Sequence, residues 1–167
     1  PDATWDLNLE GSTIVDLTIL KGTPISRLNL NKTAVSDLIP LGGMALKSLS
    51  LEGTKVTDLT PLQGLPLEDL TLNFLPISDL SFLRGLPLQR LGIYSTPVAD
   101  LEPLRGMALK RLRIDGTKVT DLQPLTGMPL ESLILGGTAV TDLSVLRGMP
   151  LTDVSLINCP ELTDLSP

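Results

Sequence analysis

Carboxylates at a constant interval are the first residues in this chain that could do chemistry. Asp16, Asp37, Asp58, Asp79, Asp100, Asp121 and Asp142 stand 21 residues apart, and Asp164 fills the same role in the following copy. Stacked carboxylates could hold a ladder of calcium ions. They could equally accept hydrogen bonds from backbone N–H groups where a short helical turn begins. The sequence around them reads [ST]-D-L-x-P-L-x-G, with Pro three residues after the Asp in five copies. Pro is tolerated in a first helical turn. The Gly-Asp nonapeptide of calcium β-rolls is absent, so the context favours capping.

A second group is irregular. Arg90, Arg111 and Arg113 fall near Tyr94, with Asp69 and Asp115 bordering them and Phe74 one interval upstream. Arg and Tyr are enriched where protein surfaces bind one another. Cys159 is the single thiol and the chain contains no His. That absence removes Ser-His-Asp and Cys-His nucleophiles, His general bases and His metal ligands together. Cys159 therefore reads as a small buried residue. No catalytic, cofactor-binding or metal site is assigned, and the chain is expected not to be an enzyme.

Composition narrows the classes further. There are 13 basic against 19 acidic residues, for a net charge of −6. Eight of those acids are the recurrent Asp, so the other faces are not acidic. The balance disfavours general binding of polyanions. No apolar run is long enough to span a membrane. There is no basic-then-apolar leader and no initiator Met, which points to a processed product or an excised fragment. One Cys rules out an internal disulfide framework.

The elements that position these residues follow from the interval itself. A 21-residue block repeats without a gap from residues 4, 25, 46, 67, 88, 109, 130 and 151, the last copy being incomplete. We read residues 1–167 as a single domain of eight repeats. A short fixed period means a solenoid. The fourth and sixth positions of each copy are apolar, as in Leu49 and Leu51 or Leu112 and Ile114, which reads as a short strand with one face buried. The first, eleventh, fourteenth and seventeenth positions, such as Leu46, Val56, Leu59 and Leu62, complete a core layer. A lone copy could not offset its ordering entropy of about 1–2 kcal/mol per residue, whereas stacked copies share their faces.

Other columns have local explanations. Thr33, Thr54, Thr96, Thr117 and Thr138 share the ninth position with Ser12, Leu75 and Cys159. A hydroxyl at that corner can bond backbone groups left over where the strand ends. The functional alternative is a Thr array that orders water or ligand. Gly22 through Gly148 at the nineteenth position should end the outer turn in a left-handed conformation. The four Met that follow such a Gly read as gap-fillers of the core. Phe82 reads as packing on the outer side.

The pattern L-x-x-L-x-L-x-x-T-x-V-x-D-L-x-P-L-x-G-[ML] resembles a leucine-rich repeat across essentially the whole chain. It is most similar to the short internalin-like bacterial type. It departs in having Thr where Asn is usual at the ninth position, and in a copy one residue shorter than the common 22. The last copy regains that residue and carries Asn158-Cys159. The resemblance implies an α/β-type solenoid, mostly β: a right-handed superhelix with parallel strands on the concave face and 3₁₀ turns and loops on the convex face. Twenty-one residues leave no room for a full outer α-helix. Strands about 4.8 Å apart give a sheet roughly 40 Å long. Trp5 is placed to cover the first layer, and bare sheet ends invite end-to-end pairing with another chain.

In such a fold the third, fifth, seventh and eighth positions face outward on the concave side. Most copies carry small or polar residues there. Phe74, Tyr94, Arg90, Arg111 and Arg113 break that pattern, and with Asp115 at their border they are the candidate partner-binding residues. Ile134 and Ile157 extend the apolar part, and Gly92 leaves the backbone open to approach. Phe74 and Leu75 could instead pack under their own loop, and the Arg could simply be solvated or paired with Asp69 and Asp115. The resemblance implies a non-enzymatic protein–protein interaction module. The alternative is a structural spacer or repeat segment of a larger protein. Nucleic-acid binding through Tyr94 and Phe74 is disfavoured because the basic footprint is too small.

Overall fold

The computed structural model describes residues 4–164. Eight short strands form one open parallel sheet in chain order. They are β1 (Trp5–Asn8), β2 (Ile25–Asn29), β3 (Ser48–Ser50), β4 (Asp69–Thr71), β5 (Arg90–Gly92), β6 (Arg111–Arg113), β7 (Ser132–Ile134) and β8 (Asp153–Ser155). From β2 onward each residue faces the one 21 further along, as Leu49 faces Leu70 and Leu91 faces Leu112. Only β1 departs, with a register shift between Trp5 and Asp6. The constant spacing explains this: equal copies stack only if each strand advances by one whole period.

Seven 3₁₀ turns run along the opposite side, from Thr18–Leu20 to Ser144–Leu146. There is no α-helix among the described residues. The expected mainly-β solenoid with 3₁₀ outer turns is what forms. Each turn starts one way. The Asp at the thirteenth position accepts a hydrogen bond from the N–H two residues on, from Asp16 with Thr18 at 2.8 Å to Asp142 with Ser144 at 2.8 Å, in all seven complete copies. This is a capping bond, made from one residue earlier than the formal N-cap. For Asp164 the equivalent turn lies outside the described residues. Each turn ends at the nineteenth-position Gly with φ between +73° and +82°, as at Gly64 with φ +74°.

Between sheet and turns lies a continuous apolar spine. The fourth- and sixth-position residues of β2 to β7 are buried, with Leu30, Leu51, Leu72 and Leu135 fully so. The five ninth-position Thr close their corners by donating to the sixth-position carbonyl, as Thr54 Oγ1 does to Leu51 O at 2.8 Å and Thr117 Oγ1 to Ile114 O at 2.6 Å, whereas the buried Ser12 Oγ makes no such bond. This is the backbone role expected of that column rather than a ligand array. Cys159 occupies the same corner half-buried, its Sγ 3.5 Å from Leu135 O. Met44 and Met128 are buried, Met107 and Met149 pack partly buried against the same core, and Phe82 is buried among the outer turns. Trp5 is half exposed, and Leu7, Leu9 and Ile14 near it stay only partly buried.

The corner between strand and convex side has a further requirement. The ninth-position N–H bonds back to the sixth-position carbonyl, as Thr54 N to Leu51 O at 3.1 Å. The eighth residue, third in this tight turn, takes positive φ in every copy. Gly11, Gly53, Gly116 and Gly137 supply it without strain, whereas Lys32, Phe74, Ser95 and Asn158 adopt it at φ of 52–61°. A side chain there costs on the order of 1–2 kcal/mol.

Candidate functional site

The central sheet surface departs most from the repeat. Phe74 follows β4 in the left-handed slot and is 52% exposed. Its neighbour Leu75 turns inward and is 1% exposed. The two residues therefore part company: Leu75 fills the core in place of the usual Thr, and only Phe74 remains on the surface. Tyr94, one copy on, meets Phe74 edge to face, with ring centroids 4.8 Å apart and planes at 76°. Arg113 of β6 lies over the other part of the Tyr94 ring, with Cζ 4.5 Å from its centroid. The Arg113 guanidinium also grips Asp115 through two bonds, Nε to Oδ1 at 2.8 Å and Nη2 to Oδ2 at 3.3 Å. Those bonds to Asp115 push the Arg113 pKa further up, against the smaller opposing effect of partial burial.

Four of the six sequence-predicted residues thus form one chain of contact, Phe74–Tyr94–Arg113–Asp115, across three copies. Exposed ion pairs contribute only about 0–1 kcal/mol, and ring–ring and cation–π contacts about 0.5–1.5 kcal/mol each. The chain's main effect is to fix where each group points. Arg90 is not part of it. It pairs with Asp69 on the neighbouring strand through Nε and Nη2. Arg111 stands beside Arg90 in the register and has no ion pair or side-chain hydrogen bond among the described residues.

Two hollows flank Arg113. One, of about 300 Å³, is bordered by Asp69, Arg90, Gly92, Arg111, Arg113 and Ile134. The other, of about 410 Å³, is bordered by Tyr94, Arg113, Asp115, Ile134 and Ile157. Ile134 joins the two, and Ile157 is exposed. Among the described residues, no group of carboxylate or thiol side chains converges where a metal ion could sit.

Asn73 is the residue that sequence reasoning missed. It is buried behind the patch, 6% exposed. Its Oδ1 accepts the Tyr94 N–H at 3.0 Å and its Nδ2 donates to Glu52 Oε2 at 2.9 Å. Gly92 has a structural reason that accompanies its openness: a Cβ there would sit 3.1 Å from Asn73 Oδ1. Asn73 and Gly92 together hold the backbone that carries Tyr94. The available signal was Asn31, which is also at the seventh position and whose Oδ1 accepts the Glu52 N–H at 2.8 Å.

Neither a protein-family model nor a curated protein sequence matches the chain. Solved structures do. The crystal structure of internalin C2 from Listeria monocytogenes is 36% identical, with a TM-score of 0.83 over 88% of this chain and 68% of that one. The chain belongs to the internalin family. A second internalin of Listeria monocytogenes, inlF, is 26% identical with a TM-score of 0.74, over 88% of this chain and 52% of its own. The functional domain of InlJ from the same organism, described as including a cysteine ladder, is 16% identical with a TM-score of 0.58, over 98% of this chain and 50% of its own. InlJ supports the fold alone. This internalin-family chain spans about half the length of the latter two.

Proposed function

We propose that the chain is a single-domain, non-enzymatic module that holds a protein partner against the middle of its concave face. The contact residues would be Phe74, Tyr94, Arg90, Arg111, Arg113 and Asp115. One observation carries this reading. Phe74 accepts a left-handed backbone and half exposure at a position where Gly serves four other copies, so neither turn geometry nor core packing accounts for it. Strained, exposed residues of this kind concentrate at binding surfaces. The Phe74–Tyr94–Arg113–Asp115 chain beside it presents an aromatic and Arg-rich cluster of the composition that anchors protein interfaces. Membership of the internalin family supports the same class of function.

The spacer reading is favoured by one observation: Arg90 and Arg113 already have carboxylate partners within the chain. Tyr94→Ala with Arg113→Ala separates the two. Capture of a protein partner by the immobilised chain should be lost in the double variant while its circular dichroism and unfolding midpoint stay near wild type. Equal capture by both proteins would retire the patch and leave the spacer.

A further inference from the structure

Arg111 differs from the other charged groups of the patch. The third-position row across the sheet runs Asp69, Arg90, Arg111, Ser132 and Asp153 on consecutive strands. Arg90 takes Asp69. Ser132 Oγ donates to Asp153 Oδ2 at 2.8 Å. Both acids of the row near Arg111 are therefore engaged by the residue standing between them and it. Asp115, two positions beyond Arg113, is held through both oxygens by that Arg. Arg111 is left with a guanidinium on one side and a hydroxyl on the other. Like charges on facing positions of adjacent strands, about 4.8 Å apart, destabilise a sheet. The native fold keeps Arg111 beside Arg90 all the same, and its guanidinium, a carrier of five N–H donors, borders the 300 Å³ hollow without a partner among the described residues.

Resting on the partner-binding reading above, we propose that Arg111 receives the carboxylate of an Asp or Glu side chain on an extended segment of the partner. A carboxylate matches the guanidinium fork with two parallel bonds. The charge count selects it over a phosphate. Arg90 and Arg113 are each paired within the chain and the Glu52 carboxylate lies behind Asn73, so the hollow presents at most about one net positive charge, which suits one carboxylate and is too little for a dianion. Phe74 lies two strands across from Arg111 and five positions further on, the last of them in the tight turn after β4, so the span is at most roughly 16 Å by 10 Å. An extended segment of about six residues covers that diagonal, so an apolar side chain at its other end would reach the Phe74 and Tyr94 rings.

The test uses two peptides, acetyl-Glu-Gly-Ser-Ser-Gly-Phe-amide and its Gln counterpart. Each is titrated to millimolar concentration into wild type, Arg111→Gln and Arg111→Lys, with NMR following the Arg Nε–H and Tyr94 ring resonances. The Glu peptide should bind wild type about tenfold more tightly than the Gln peptide. Arg111→Gln should abolish that preference, and Arg111→Lys should keep part of it. Equal affinity for the two peptides, or a preference that survives in Arg111→Gln, overturns the carboxylate assignment. If Tyr94 resonances still move in those cases, the patch itself stands. If neither Arg111 nor Tyr94 responds to either peptide, both readings fall. Inorganic phosphate shifting Arg111 at lower concentration than the Glu peptide would also overturn the choice of carboxylate.

Discussion

The sheet surface over β1–β3 and the surface over β4–β6 are built on the same coil and treat their polar groups differently. Over β1–β3 the polar groups mostly satisfy one another, although Arg27 of β2 has no ion pair or side-chain hydrogen bond among the described residues. Asn29 Oδ1 accepts the Asn31 N–H at 2.9 Å, Ser50 Oγ donates to Asn31 Oδ1 at 2.6 Å, and Lys32 pairs with Glu10 at 2.9 Å. Over β4–β6 internal bonds also form, at Asn73, between Arg90 and Asp69 and between Arg113 and Asp115, but beside them stand an exposed aromatic ring, a second ring and the unpaired guanidinium of Arg111. The coil tolerates both surfaces, so outward residues are not what specifies the fold. What repeats is the scaffold, and what fails to repeat is the outward surface.

Substitutions on either side of one strand should break that separation most strongly if it is mistaken. Leu112 is 1% exposed, directly beneath the patch between Arg111 and Arg113. Leu112→Ala should cost about 2–5 kcal/mol in urea unfolding, while alanine at Arg111 should stay within about 0.5 kcal/mol. Comparable losses at both would mean that the outward row also carries the fold.

The Asp column tests the convex side. Asp79 accepts from the Ser81 N–H at 2.7 Å and from Ser81 Oγ at 2.8 Å. Asp79→Ala should lower the unfolding midpoint by less than Leu112→Ala does, and Asp79→Asn, which keeps an acceptor, by less again. The same bonds, first among them those to backbone N–H for Asp16, Asp79 and Asp142 and to the Thr60 hydroxyl for Asp58, hold these carboxyls below the usual carboxylate range. A lowered native pKa stabilises above the unfolded value, about 3.9. Midpoints should therefore be level near neutral pH and fall as pH drops below about 4. A midpoint insensitive to that acid range would remove the capping account.

The smallest effect sharpens the contrast most. Phe74→Gly relieves left-handed strain of about 1–2 kcal/mol and gives up a ring contact of about 0.5–1.5 kcal/mol. Stability should stay within about 1 kcal/mol of wild type while partner capture weakens. A large loss of stability would show that Phe74 belongs to the scaffold after all.

Much of this was legible in the residues because repetition averages out local accident. Seven Asp in one frame can only mean one local geometry used seven times, and each makes the expected bond. The proximity of Phe74, Tyr94 and Arg113 followed from the period alone, since residues 21 apart become neighbours. The rest depended on details that spacing does not encode. Four Gly among eight residues did not announce that Lys32, Phe74, Ser95 and Asn158 share their left-handed backbone. Phe74 and Leu75 look alike in a hydropathy pattern, yet the turn sends one out and the other in. Which acid Arg90 would take, and hence which Arg would be left over, depends on rotamers. Asn73 looked like any polar surface residue until its carbonyl oxygen was found beneath Tyr94.

One consequence follows from the pairing of every residue with its counterpart a whole period away. Shifting the patch side chains by 21 sequence positions would carry the same cluster sideways by one strand, about 4.8 Å, over an unchanged backbone. An outward cluster in such a molecule is transposable: it can drift laterally through point substitutions alone, with no new loop to invent and no core to rebuild.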